Sequence, residues 1–140
     1  MTFFDDLSPY AYLPATVPGN VEALNVGWLD EGKPYAKGSV PDGFLGELSL
    51  LARDATQART RGWHACPMRH VGEAVAYPVT YGISGSELCL GGAEIRVVSK
   101  TGEWLIAPDL VLHYVAAHSY SPPNDFVDAV LERRIAPALP

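Results

Sequence analysis

The sequence has few cysteines, no long apolar run and no leader-like start. Its two cysteines, Cys66 and Cys89, are too few for a disulfide framework, and in a reducing compartment we expect both to remain thiols. No run of about 18 apolar residues predicts a membrane-spanning helix. The opening MTFFDDLSPY lacks the basic and apolar regions of a signal peptide. We therefore expect a cytoplasmic protein that does not contact a membrane.

Positive charge is also scarce. Ten Lys and Arg residues stand against 16 Asp and Glu, which gives a formal net charge of −6. This balance disfavours nucleic-acid binding, because phosphates attract a clustered positive surface. It is compatible with a small-molecule site, or with a basic partner protein attracted by opposite charge. The length, 140 residues, fits one domain over 1–140 with a core of its own. The oligomeric state stays open.

Turn-forming residues are plentiful, with 12 prolines and 13 glycines, and they exclude a simple helical bundle. In the first 23 residues, prolines alternate with an aromatic cluster. Proline prevents regular helix there while the aromatic rings favour burial, so we expect an ordered arm wrapped on the domain.

Hydrophobic periodicity predicts an α+β fold. Helical spacing or proline at a first turn indicates helices at about 41–53, 108–118 and 123–134. Between them, a period-two pattern and a Lys-Thr-Gly turn indicate a β-hairpin within about 87–107. We expect a small antiparallel sheet packed against two or three helices. Glu94 and Arg96 share one strand face, which we interpret as a solvated polar face.

The stretch GWHACPMRH (62–70) holds the most suggestive chemistry. His64 and Cys66 are two apart, so on extended chain both side chains could reach one ion. Imidazole and thiolate are preferred zinc ligands, and His70 and His113 could complete a set of four. Alternatively, the stretch is a loop with a hydrogen-bonded histidine and a buried cysteine. A Cys66 nucleophile is the least supported reading, because nothing supplies an orienting group or an oxyanion feature.

His113 and His118 lie on the second predicted helix. Five residues turn an α-helix by about 500°, which leaves the two side chains about 140° apart. They share a face only if the helix ends before His118. Otherwise His113 is a hydrogen-bonded core histidine and His118 lies at the helix C-terminus.

Five motifs in order resemble a family of small, functionally uncharacterised bacterial proteins. They are LSPYAYLP (7–14), NVGWLDEGKPY (25–35), TRGWHACP (60–67), LGGAEIRV (90–97) and APDLVLHYVAAHSYSPPNDFVDAV (107–130). The resemblance spans almost the whole chain and implies a free-standing bacterial domain. It implies no particular reaction.

The resemblance also bears on the candidate site. Members of the family often show a histidine, a cysteine two residues later and a second cysteine three after that. His64 and Cys66 match the first two positions, whereas Arg69 stands at the third, with His70 as a conceivable substitute. His113 and His118 match the HYVxxH stretch of the family. The resemblance therefore implies His64, Cys66 and His113 as the leading site candidates.

Two functions follow as hypotheses. The first is a non-enzymatic interaction protein, such as an immunity or antitoxin-like protein that neutralises a partner, because the domain is small and acidic and shows no complete catalytic set. The second is a zinc-binding protein or metal-dependent enzyme. Its candidate ligands are His64, Cys66, His70, His113 and His118.

Overall fold

The computed structural model describes residues 3–70 and 75–138, and it has an α+β architecture. In chain order, the elements after a 3-10 turn at Pro14–Thr16 are β1 (Ala23–Asn25), α1 (Phe44–Asp54), β2 (Thr80–Ile83), β3 (Ser86–Cys89), β4 (Glu94–Val98), β5 (Trp104–Pro108), α2 (Val111–His118) and α3 (Asn124–Leu131). Each of the three helices begins and ends within about one turn of its predicted range. None of them, in the part of the chain described, has the length and apolar character needed to cross a membrane.

The central sheet has the order β1-β5-β4. β4 and β5 form the predicted antiparallel hairpin, with Arg96 opposite Ile106. The antiparallel prediction was incomplete, because β1 pairs with β5 in parallel, with Leu24 opposite Leu105. The predicted hairpin was also too long at its start. Residues 86–89 form β3, which pairs with β2 in a separate two-stranded sheet.

The two faces of the sheet bury different parts of the chain. Odd-numbered residues of β4 and β5, such as Ile95 and Leu105, pack with the three helices in the larger hydrophobic core. Even-numbered residues, such as Ile106, pack with Tyr10 and Trp28 in a second cluster. The N-terminal arm covers this second face, and its backbone bonds to the strand region at Phe4–Trp28 and Pro9–Leu24. This agrees with the arm predicted from the prolines and aromatics.

The prediction of a solvated face at Glu94 and Arg96 was wrong. Their exposed fractions are 3% and 2%, because the arm covers this face. The Arg96 guanidinium donates to Glu94 Oε1 at 2.7 Å and to the carbonyl and hydroxyl of Thr16 at 2.8 and 2.6 Å. Tyr10 Oη donates to Glu94 Oε2 at 2.8 Å. The alternating pattern identified the strand correctly. It could not distinguish a buried ion pair from an exposed polar face, because both place charged residues at alternate positions.

Candidate metal centre

Four side chains meet at the end of α2. One ligand atom each from Cys66, His70, His113 and His118 lies within 4.8 Å of every other. All four residues are only partly exposed. Cysteine and histidine are the side chains that most often bind zinc and related transition metals. The cluster could therefore hold a metal ion.

Three of the distances within the cluster are close to those of a tetrahedral site. The Nε2 atom of His70 lies 3.1 Å from Nε2 of His113 and 2.9 Å from Nε2 of His118. Cys66 Sγ lies 3.6 Å from His118 Nε2. Around a tetrahedral zinc ion, usual bond lengths place two nitrogens about 3.3 Å apart and a nitrogen and a sulfur about 3.6 Å apart. The other separations are at most 4.8 Å, so small movements of the four side chains would complete the coordination sphere.

The end of α2 explains how His113 and His118 meet. The ring centroids are 5.1 Å apart, although His118 is the last helical residue and not beyond the helix. The Ser119 amide donates to the Tyr114 carbonyl, five residues back, and Ser119 has a left-handed backbone. This is the hydrogen bond of a π-turn, which is wider than an α-turn and occurs at helix C-termini. Residues five apart therefore approach the same face, and the expectation from ideal α geometry was wrong.

The loop before Cys66 runs along the start of β4. Gln57 and Glu94 exchange backbone hydrogen bonds of 2.8 Å, and the His64 amide donates to the Gly91 carbonyl at 2.8 Å. These isolated bonds fix the loop against the start of β4. They hold the chain where Cys66 can reach the helical face of the sheet, against the larger core.

His64 does not join the other candidates. It lines a cavity with Tyr12 and Trp28, next to the face of the sheet that the arm covers. The prediction assumed that residues two apart on extended chain point the same way. That premise holds for regular strand, whereas residues 63–67 belong to no strand, and among the described residues the backbone of this stretch pairs only through the bond from the His64 amide to the Gly91 carbonyl. The side chains of His64 and Cys66 therefore lie on different faces of the sheet.

Asp109 connects the loop to α2, a role that was not predicted from the sequence. Its carboxylate accepts a 2.7 Å hydrogen bond from the Gly91 amide, and its own amide donates to Ala93 at 2.9 Å. The side chain is 1% exposed, and burial raises its pKa to about 6 despite these bonds. The sequence signal was an acidic residue directly before a helix. Asp109 thereby fixes the start of the helix that carries His113 and His118.

Burial dominates the electrostatics of the cluster. It lowers the pKa of His113 to about 4, with smaller contributions from His118 and His70. It also lowers the pKa of His118 and raises that of the Cys66 thiol. Neutral imidazole is the form that binds metal, so two of the three histidines are favoured in their ligating form.

Gly91→Ala is expected to cost about 3 kcal/mol in the free energy of unfolding, against about 1 kcal/mol for the control Gly102→Ala. Both glycines have a left-handed φ, +107° and +96°, so both variants carry backbone strain. A Cβ at Gly91 would lie 2.4 Å from the His64 carbonyl oxygen, whereas a Cβ at Gly102 meets nothing within 4 Å. Urea denaturation measures both values. Equal losses of stability in the two variants would contradict the prediction, because they would show that the backbone at His64 moves away from the new Cβ at little cost.

A family model described as Domain of unknown function (DUF7919) matches residues 2–131. The match covers nearly the whole chain and all four residues of the cluster. The chain belongs to this family. No curated protein and no solved structure matches it. Membership of the DUF7919 family supports the resemblance found in the sequence, and its description names no activity, so the function must be argued from the cluster.

Proposed function

We propose that the protein binds one zinc ion through Cys66, His70, His113 and His118, and that the ion has a structural role. The observation that carries this proposal is the set of distances, with Nε2 of His70 2.9 and 3.1 Å from two other Nε2 atoms and Cys66 Sγ 3.6 Å from His118 Nε2. Each Nε2–Nε2 distance also fits a hydrogen bond between neutral imidazoles, so what favours a cation is the convergence of all three histidines and Cys66 on one point.

The ligand set favours zinc and a closed site. One thiolate and three imidazoles match the Cys and His donors of structural zinc sites, whereas Mg²⁺ and Ca²⁺ prefer oxygen ligands. A catalytic zinc ion keeps one position for water or substrate, usually with three protein ligands. Four protein ligands here would fill the tetrahedron and leave no such position.

An ion at this place would join two distant parts of the chain. Cys66 and His70 come from a loop without regular secondary structure, and His113 and His118 come from α2. The loop residues Cys66 and Met68 pack only partly buried against the larger core. Coordination would hold them there, because each metal–ligand bond restrains a segment that hydrophobic contacts hold only weakly.

A buried hydroxyl without a partner among the residues that the structure describes is compatible with a metal-bound sulfur at Cys66. Tyr114 is 0% exposed, and its hydroxyl has no hydrogen-bond partner among the described residues. Cys66 is close enough that a charge on its sulfur, when present, would raise the pKa of Tyr114, as the largest effect after burial. A metal-bound thiolate near Tyr114 would accept a hydrogen bond better than a neutral thiol does.

Cobalt substitution tests the proposal. Protein purified without added chelator should contain about one zinc ion per chain by elemental analysis, as a four-ligand site requires. After exchange with Co²⁺, we expect intense visible bands typical of tetrahedral geometry and a near-ultraviolet thiolate-to-cobalt transition. Cys66→Ser should abolish this transition.

Cys89→Ser is the matched control, since Cys89 is also a free, half-buried cysteine but lies in β3 outside the cluster. Its spectrum should equal that of the unmodified protein. Purified protein with no bound metal, which also fails to take up Co²⁺, would refute the proposal. So would a spectrum that Cys66→Ser leaves unchanged.

The interaction role stays a prediction. The net charge of −6 still favours a basic partner protein, and a structural zinc ion is compatible with a non-enzymatic domain. Affinity purification with the intact chain as bait would test it.

A further inference from the structure

The cavity next to the arm is separate from the metal cluster. It has a volume of about 230 Å³ and is lined by Tyr12, Trp28, Thr60, His64 and Glu94, among others. Glu94 lies on the even-numbered side of β4, where the sheet faces the arm. The cluster lies with the helices on the other side. None of the cluster ligands lines the cavity.

The apolar surface of the cavity favours a flat ligand. Tyr12 and Trp28 stand at one side with ring centroids 5.6 Å apart and planes inclined by 50°. Small or rigid residues, including Gly92, Ala93 and Pro108, form other parts of the lining. A planar ring can gain contact both with the aromatic rings and with the small residues of this lining. The volume is below the usual range for drug-sized ligands, so it suits a small bicyclic ring.

The polar groups of the cavity favour a ligand that donates a hydrogen bond. Glu94 Oε1 accepts from both Arg96 and Tyr10. Among the described residues, Oε2 accepts only the Tyr10 hydroxyl. A carboxylate oxygen can accept more than one hydrogen bond, so Oε2 keeps capacity for an N–H or O–H group. His64 and Thr60 add groups that can donate or accept.

We propose that this cavity binds a small, neutral, planar heteroaromatic compound through stacking on Tyr12 and Trp28 and a hydrogen bond donated to Glu94. This site is independent of the metal-binding function.

Charge argues for a neutral ligand over an organic cation. Two aromatic rings and a carboxylate resemble part of a cage for alkylammonium groups. Here, however, the Arg96 guanidinium lies 2.7 Å from Glu94 Oε1 and neutralises it. The same guanidinium lies 5.6 Å from the ring of Tyr10. A ligand cation would therefore face a compensated carboxylate and a nearby positive charge.

Titration by two-dimensional amide NMR tests the proposal with three probes. Benzimidazole is planar, neutral above mildly acidic pH, and carries one N–H donor. 1-Methylbenzimidazole has the same rings without the donor, and benzyltrimethylammonium is a cation of similar size. At neutral pH, we expect benzimidazole to shift the amide signals of Thr60, His64 and Ala93 saturably. 1-Methylbenzimidazole should bind at least fivefold more weakly, and the cation more weakly still.

Tyr12→Ala should weaken benzimidazole binding at least fivefold without unfolding the protein, because Tyr12 is 40% exposed. Tyr77→Ala is the matched control, since Tyr77 is exposed and does not line the cavity. It should leave binding unchanged. The proposal is overturned if benzimidazole produces no saturable shifts at these amides, if the methylated ring binds equally well, or if the cation binds most tightly.

Discussion

Zinc removal by a chelator is expected to lower the free energy of unfolding by about 4 kcal/mol, when the starting free zinc concentration is about a thousand times Kd. For a chain of this length, the unfolding midpoint should fall by on the order of 10 °C. The reason is that the ion binds four side chains that converge only in the folded state. Thermal unfolding followed by circular dichroism, with and without chelator, measures the change.

Two histidine-to-alanine variants, one inside and one outside the cluster, serve as a matched pair for this experiment. His113→Ala removes a ligand, so its midpoint should lie near that of the chelated protein and no longer respond to chelator. His64→Ala removes a partly exposed histidine outside the cluster, and it should keep the full response. Identical responses of the two variants would contradict the assignment of the ligands.

Arg96→Met is expected to cost about 3–5 kcal/mol at neutral pH, because it leaves the buried Glu94 carboxylate without its cation. It also removes the hydrogen bonds that hold Thr16 of the arm to the sheet. Urea denaturation measures the loss. A loss below about 1 kcal/mol would show that water reaches Glu94 once the guanidinium is gone.

The double variant Glu94→Gln, Arg96→Met separates charge from packing. Removing both charges should recover at least about 1 kcal/mol relative to Arg96→Met, because no uncompensated carboxylate remains.

The pH dependence of Arg96→Met has a definite sign. Burial already raises the pKa of Glu94, against the lowering effects of Arg96 and Tyr10, and loss of Arg96 should raise it further. A raised carboxyl pKa means that the folded state binds the proton more tightly than the unfolded state. The stability of the variant should therefore increase as pH falls toward the usual glutamate pKa. Its deficit relative to the unmodified protein should shrink over the same interval.

Much of the fold could be predicted because it depends on local pattern. The alternation before and after Lys100-Thr101-Gly102 identified β4 and β5, and helical spacing identified three helices. The parallel pairing of β1 with β5 could not be predicted in this way. It joins segments about 80 residues apart, and no local periodicity carries that information.

The sequence predicted the type of ligand at the candidate site, but it did not predict which of the candidate residues come together. The sequence singled out five histidine and cysteine positions as metal ligands, and the structure brings four of them together. His64 was a leading candidate because it lies two residues before Cys66. Its position depends on pairing with Gly91, a residue whose own backbone conformation only the folded chain defines.

By itself, the sequence determined the α+β class, the covering arm and the set of side chains able to bind a metal. These follow from composition and short-range periodicity, which act within a few residues. Only the tertiary structure decided that Glu94 and Arg96 are buried, that His64 faces a cavity, and that His113 and His118 converge. The first two depend on contacts between segments that are distant in the sequence. The third depends on the widened last turn of α2. Packing of the whole chain determines both the contacts and the turn.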